Sequence, residues 1–293
     1  MTPNTRGAAL MMGSTAAFTL NDTCIKATGG EVPLMQLLTL RGGVSCLLLY
    51  LLARYLGALR LRLSRGDLGL LALRSGTEVV AAYLFLVALM TMPLANVTAV
   101  LQVLPLTVTL GAALVFGERI GWRRLLAIGL GFCGMLLIVR PGPEGFSPHT
   151  GYVLAAVLCV TVRDLATRRM SSHVPTMTVT VLSAFAVFAC AGIASLWEDW
   201  APLDTGHVAL IGGSAIFVML GYVLSVMVMR VGEVSFVAPF RYTGLIWALV
   251  LGWLVFGHWP APLTLLGVAV VAAAGLFTLY RGRQVAVENT RRT

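Results

Sequence analysis

Long apolar runs, each about 20 residues and so long enough to cross a bilayer core as a helix, alternate along this chain with short Pro, Gly and charged breaks. Ten runs can be marked, at 7–27, 32–53, 68–91, 94–114, 121–140, 149–170, 174–197, 207–228, 233–254 and 261–281. The pattern predicts an all-α membrane protein with ten transmembrane helices. The connections hold about a dozen residues at most, too few for a soluble domain. Arg6 before the first run gives it the outline of a secretory signal. Asp22 and Lys26 interrupt that run and nine more follow, so no cleaved leader is expected.

The pattern also repeats. Val115-Phe116-Gly117 returns 140 residues later as Val255-Phe256-Gly257, and each copy opens onto a last apolar run. Near the start of each half, Asp22, Lys26 and Val32-Pro33 correspond to Asp164, Arg168 and Val174-Pro175 at an offset of 142. Two anchors therefore predict five-helix repeats at 1–140 and 149–282, followed by a basic tail at 283–293. After the first Val-Phe-Gly come Glu118, Arg119, Arg123 and Arg124; after the second come His258, Trp259 and Pro260, without Lys or Arg. Because positive charge marks the cytoplasmic side, the repeats are expected to be inverted, as in many secondary transporters.

Composition narrows the class further. A chain with 58% hydrophobic and 11% charged residues lies outside the soluble range. In a soluble protein its net charge of +9 would point to nucleic acid. Here the charge reports orientation, and no nucleic-acid partner is expected. With both termini cytoplasmic, Arg6, Arg54, Arg60, Arg62, Arg65, Arg119, Arg123, Arg124, Arg168, Arg169, Arg230 and the arginines from 281 onward all fall inside. Of the basic residues only Lys26 and Arg140 fall near the outer face, and the outer connections carry Glu31, Glu144, Glu198, Asp199 and Asp204. The expected location is the bacterial cytoplasmic membrane, with the lipid bilayer as the main partner. Cys24, Cys46, Cys133, Cys159 and Cys190 are odd in number and lack metal-ligand spacing, so neither disulfide nor metal is expected.

An ionised side chain at bilayer depth persists mainly where it has a partner or a function, which makes the buried charges the first candidates. Glu78 lies ten residues into its run, about 15 Å deep at 1.5 Å per residue. Arg74 is one turn away, so a self-contained ion pair is the alternative to substrate or proton handling. Arg241, between Phe240 and Tyr242, offers a guanidinium that can hold a carboxylate or phosphate and stack on a ring; capping of broken backbone near Pro239 is its other reading. Gln102, Asn21 and Tyr83 are further candidate substrate contacts, or interhelical hydrogen bonds. Arg41, beside Gly42 and Gly43, reads as packing, and Trp122, Trp197, Trp200 and Trp259 as interfacial anchors. The repeated pairs Asp22/Lys26 and Asp164/Arg168, each four residues apart and at opposite membrane faces, are candidate gates.

Pro93, Val97-Thr98-Ala99-Val100, Pro105, Val115-Phe116-Gly117-Glu118-Arg119 and Gly134-Met135-Leu136-Leu137-Ile138 resemble the end of an EamA domain of the drug/metabolite transporter superfamily. Gly232 to Thr243, with Trp247 and Val255-Phe256-Gly257, resembles the same domain again. His258 departs from it, standing where an acidic residue commonly follows. Asn21-Asp22, Arg163 to Arg169 and Ala238 to Thr243 are similar to a proteobacterial branch that includes riboflavin and S-adenosylmethionine carriers. The resemblance implies a central cavity, a small organic substrate and alternating access, with riboflavin uptake foremost and export of amino acids or related metabolites second. No Gly-x-x-x-x-Gly-Lys loop is present, so a gradient, with protons as one coupling ion, or exchange is expected to drive transport. Neither a Gly-x-Ser-x-Gly elbow nor a His-Glu-x-x-His site occurs, so no catalytic residue, cofactor or enzyme activity is expected. A receptor or scaffold would need extended loop surfaces. Monomer and homodimer both remain open.

Overall fold

Apolar side chains of this chain face outward and many small polar ones face inward. Leu114, Leu126, Leu130, Leu158, Ile216 and Trp253 are exposed, whereas Ser14, Asn21, Gln36, Thr178, Ser183 and Ser214 are buried. In water that distribution would be penalised; in lipid, helices gain by packing through small and polar residues. The structure, a computed structural model, describes residues 3–57, 59, 63–117, 121–139, 148–171, 173–231 and 237–292. Arg60, Arg62, Glu118, Arg119, Arg140, Glu144 and residues 232–236, used above for orientation and resemblance, lie outside the described residues.

The described elements are helical: α1 Pro3–Ala27, α2 Leu34–Tyr55, α3 Arg65–Thr91, α4 Leu94–Leu101, α5 Leu104–Phe116, α6 Trp122–Val139, α7 Pro148–Arg169, α8 Thr176–Ala194, α9 Thr205–Val231, α10 Thr243–Phe256 and α11 Pro262–Arg292. Single 3₁₀ segments extend α8 at Ser195–Trp197 and precede α10 at Ala238–Tyr242. Among the described residues, six stretches are long and apolar enough to cross a membrane, with α4 and α5 counted together as Leu94–Phe116, and three further apolar helical stretches are shorter.

The duplication is visible in how elements begin and end. Pro33 and Pro175, equivalent by sequence, each stand immediately before a helix, where a missing N–H costs nothing. Gly117 and Gly257, the last residues of the two Val-Phe-Gly segments, end α5 and α10 with φ of 67° and 66°. That left-handed conformation penalises any side chain, which explains why glycine stands at both positions.

The fourth run of each repeat is broken. The chain turns at Gln102 and Val103, between α4 and α5, where Pro105 removes a backbone donor from the first turn of α5. In the second repeat the corresponding break is the Ala238–Tyr242 segment before α10.

Contacts divide the chain into two compact units, residues 1–19, 92–151 and 220–293 in one and 20–91 with 152–219 in the other. Each draws on both sequence repeats. In the first, α6 packs along α11 and α4 lies against α10 and α6. The α6–α11 approach is close: a Cβ added to Gly267 would fall 2.6 Å from the Gly134 carbonyl oxygen. In the second, α8 packs on α2 and α3, and Phe188 lies over Gly42 and Gly43.

Candidate functional site

Glu78 sits at the middle of α3, thirteen residues from Arg65 and thirteen from Thr91. At 1.5 Å per residue that places it about 20 Å from either helix end. Its carboxylate is held by α7: Arg163 Nη1 donates to Oε1 and Oε2 at 3.2 and 3.1 Å. Arg74, one turn below on α3, has Nη1 3.9 Å from Oε2, an ion pair without hydrogen-bond contact. Arg74 is oriented instead by hydroxyls, donating through Nε to Thr167 Oγ1 at 2.8 Å and through Nη1 to Ser183 Oγ. Ser75 and Ser183 share a further hydrogen bond of 3.0 Å.

Arg163 closes the cluster. Its Nε and Nη2 both reach Asp164 Oδ1, at 2.9 Å each. Two guanidiniums and two carboxylates thus meet on α3 and α7, formally neutral as a set. Their side chains keep 14% to 36% exposure, so the group is reachable and not sealed in the core. Such an array can exchange internal ion pairs for the carboxylate and ammonium of a ligand at little change in net charge.

The other expected gate residues occupy the end of α1. Lys26 Nζ donates to the Leu89 carbonyl in the last turn of α3 at 2.8 Å, a favourable place for a cation near a helix C-terminus. Asp22 accepts from Asn21 Nδ2 at 2.8 Å, and Arg41 is near enough to act on its charge. The amide oxygen of Asn21 is buried without a hydrogen-bond partner among the described residues. Arg168 is exposed at the end of α7. Tyr83 is 43% exposed and, five residues on from Glu78, lies about 140° around α3 on a different face.

Three expected contacts belong to the other unit. Gln102, at the α4–α5 break, is buried, and its Nε2 lies 3.7 Å from where a Cβ on Gly244 would stand. Thr15 and Thr243 hydrogen-bond beside it at 3.1 Å. Tyr242 is buried with its ring against α11, so close that a Cβ on Gly275 would overlap its hydroxyl at 1.4 Å. That hydroxyl has no hydrogen-bond partner among the described residues. Arg241, its neighbour, is exposed. By the 140-residue offset Gln102 and Tyr242 are equivalent, so both breaks bury a polar side chain at the same repeat position.

The EamA-like transporter family matches this duplicated chain over residues 5–140 and again over 150–280. The chain belongs to the EamA-like transporter family. It therefore has the two-repeat EamA membrane fold, and the family and its named relatives are transporters. The pseudopaline exporter of Pseudomonas aeruginosa is 25% identical over 92% of this chain and 94% of its own length. The riboflavin transporter of Vibrio cholerae is 28% identical over 70% of this chain and 69% of its own. The S-adenosylmethionine uptake transporter of Rickettsia prowazekii is 22% identical over 64% of each. A solved crystal structure shares the fold, with a TM-score of 0.65 at 18% identity over 94% of this chain and 98% of the other.

Within this EamA protein the sequence pointed to Glu78 but gave Arg163 no part in the site. A signal existed. Arg163 lies seven residues from the inner end of its run, about 10 Å deep, and Glu78 about 15 Å deep on an antiparallel run, so their depths nearly match. Thr167 and Ser183 carried no such signal, because an intramembrane hydroxyl is ordinary and only packing shows which guanidinium it orients.

Proposed function

We propose that this protein is a secondary-active carrier that moves a small polar organic metabolite across the bacterial cytoplasmic membrane by alternating access. The reading takes the ten runs as ten spans in two inverted five-helix repeats, bounded at 1–140 and 149–282, with both termini inside. What carries it is the Glu78–Arg163 ion pair at mid-span in an EamA chain. Charge at that depth is costly even when paired and persists mainly where it has a function, whereas a scaffold would do as well with apolar packing.

The substrate site in this reading is centred on Glu78, with Arg163 and Arg74 as anion-binding arms. Asn21 and Tyr83, and in the other unit Gln102, Arg241 and Tyr242, are the further candidate contacts of this reading. Asp22 with Lys26, and Asp164 with Arg168, act as outer and inner gates, and protons are the coupling ion. Two substrate readings have support. Riboflavin uptake is favoured by similarity to riboflavin transporters at 26% and 28% identity. Export of an amphoteric metabolite such as an amino acid is favoured by the paired charges, which match an ammonium and a carboxylate.

Purified protein in proteoliposomes, tested with labelled riboflavin and with an amino-acid mixture, decides between them. Growth of a riboflavin auxotroph on low external vitamin gives the same answer in cells. Flux of riboflavin and rescue of growth support uptake. No rescue despite confirmed membrane expression, with flux of an amphoteric solute, moves the assignment to export. Chemical turnover of either solute without flux would overturn the carrier reading.

A further inference from the structure

The third helix of each repeat starts in the same way. Ser64 Oγ accepts the backbone N–H of Asp67 at 3.1 Å ahead of α3, and Asp204 Oδ1 accepts that of His207 at 2.7 Å ahead of α9. These are N-caps, each satisfying the N–H of the third helical residue. Ser64 and Asp204 are 140 residues apart, and so are Asp67 and His207.

The side chains of Asp67 and His207 then each leave their own repeat. Asp67 accepts from the backbone N–H of Ser171 at 3.0 Å and from its hydroxyl at 2.9 Å, in the connection from α7 to α8. His207 Nε2 lies 3.3 Å from Glu31 Oε2, in the connection from α1 to α2. Glu31 and Ser171 are again 140 residues apart. The same two positions therefore make the same cross-repeat contact twice, once at each end of the helices. Asp67 and His207 carry different chemistry into it.

We propose that Asp67–Ser171 and His207–Glu31 are paired clasps that must open alternately at the inner and outer faces, and that external protons tighten the outer one. At the inner clasp Asp67 is bound by Ser64 and Ser171, neutral donors whose protonation does not change, although His173 stands near enough to act on its charge. At the outer clasp, His207 Nδ1 is 2.9 Å from Asp204 Oδ1, at ion-pair distance but outside hydrogen-bond geometry. The contacts of Nδ1 with Asp204 and of Nε2 with Glu31 are attractive together only for the imidazolium, which carries a proton on both ring nitrogens. Imidazoles gain that charge between about pH 8 and pH 5. The remaining charged groups at this end are engaged or lie further along the α8–α9 connection: Asp22 accepts from Asn21 with Arg41 near it, Lys26 donates to Leu89, Glu198 accepts from the N-terminal amides of α2, and Asp199 follows it.

A native reporter lies beside the outer clasp. Cys24, already partly exposed, has its Sγ 3.7 Å from the place of a Cβ on Gly213, between α1 and α9 and nearly two turns along α9 from His207, so parting of these helices exposes it further. The proposal rests on the orientation and alternating access given above, and the test reads accessibility without requiring flux. The full chain, with Cys46, Cys133, Cys159 and Cys190 replaced by Ser, is labelled with a membrane-impermeant maleimide in right-side-out and inside-out vesicles. The parent is compared with His207→Gln and with Glu31→Gln, a 75% exposed side chain whose loss threatens folding little. Dividing the parent's rate by the variant's at each pH cancels the intrinsic pH dependence of the thiolate.

In right-side-out vesicles the parent is expected to label about two- to fivefold more slowly than either variant at pH 5.5, and at a similar rate at pH 8, the scale set by exposed ion pairs. The same effect in inside-out vesicles alone supports the clasp and overturns the orientation. A ratio that does not change with pH in either preparation overturns the clasp.

Discussion

Arg163, not its helical neighbour Arg74, should be the main electrostatic partner of Glu78. The test is a pair of double-mutant cycles, Glu78→Gln with Arg163→Gln and Glu78→Gln with Arg74→Gln. Distance alone separates the pairs little: at an effective dielectric of about 20, 3.1 Å gives about 5 kcal/mol and 3.9 Å about 4 kcal/mol before desolvation. Hydrogen bonding separates them more. Arg163 shares one N–H group between both carboxylate oxygens, and a bond to a charged group contributes about 1.5–3 kcal/mol net. Arg74 directs Nε to Thr167 and Nη1 to Ser183. With both partners about one-fifth exposed, solvent trims either value. The expected coupling is about 2 kcal/mol for Glu78–Arg163 and below about 1 kcal/mol for Glu78–Arg74. In thermal unfolding of detergent-solubilised protein, 2 kcal/mol corresponds to about 4–8 °C of non-additivity. Additive behaviour of Glu78 and Arg163, or a larger coupling to Arg74, would refute the assignment and restore the one-helix ion pair.

If protons are the coupling ion, Glu78→Gln should depress gradient-driven uptake more than exchange of substrate for substrate, and equal losses in the two assays would remove Glu78 from coupling. Asp22→Asn and Asp164→Asn should shift cysteine accessibility in opposite senses; a shift in the same sense ends the paired-gate idea. Gly275→Ala places a methyl group into the Tyr242 ring and should destabilise by about 1–3 kcal/mol, as over-packing does. Tyr242→Leu should restore much of that loss when combined with it, and an absence of rescue would mean that α11 meets something else. The backbone N–H of His207 holds the Asp204 carboxyl below its usual range. A depressed acid contributes stability above its unfolded value of about 3.9 and loses it as pH falls through its folded value. With His207 replaced by Gln in both proteins, so that imidazole protonation does not enter, the thermal stability advantage of Asp204 over Asp204→Asn should therefore be constant near neutrality and be lost below about pH 4; an advantage that persists to lower pH would contradict the cap.

The sequence by itself determined the class, the duplication and most helix boundaries, because these follow from local or repeated quantities. Run length against bilayer thickness placed the helices, and Val-Phe-Gly at 115–117 and 255–257 marked the duplication; that both glycines close a helix in the left-handed conformation is seen only in the structure. Glu78 was legible for a similar reason, since the cost of a charge at mid-run is a property of its depth alone. Only the tertiary structure decided which partner the charge takes. Arg74 is nearest along the helix, but a guanidinium also turns toward the best-placed acceptors. Thr167 and Ser183, 93 and 109 residues from Arg74 in the chain, draw it aside and leave Glu78 to Arg163. The clasps at Asp67–Ser171 and His207–Glu31 were hidden in the same way. Their offsets of 140 were present in the sequence, but a capping residue, a turn serine and a loop glutamate are individually ordinary, and only folding brings one repeat's cap against the other repeat's turn.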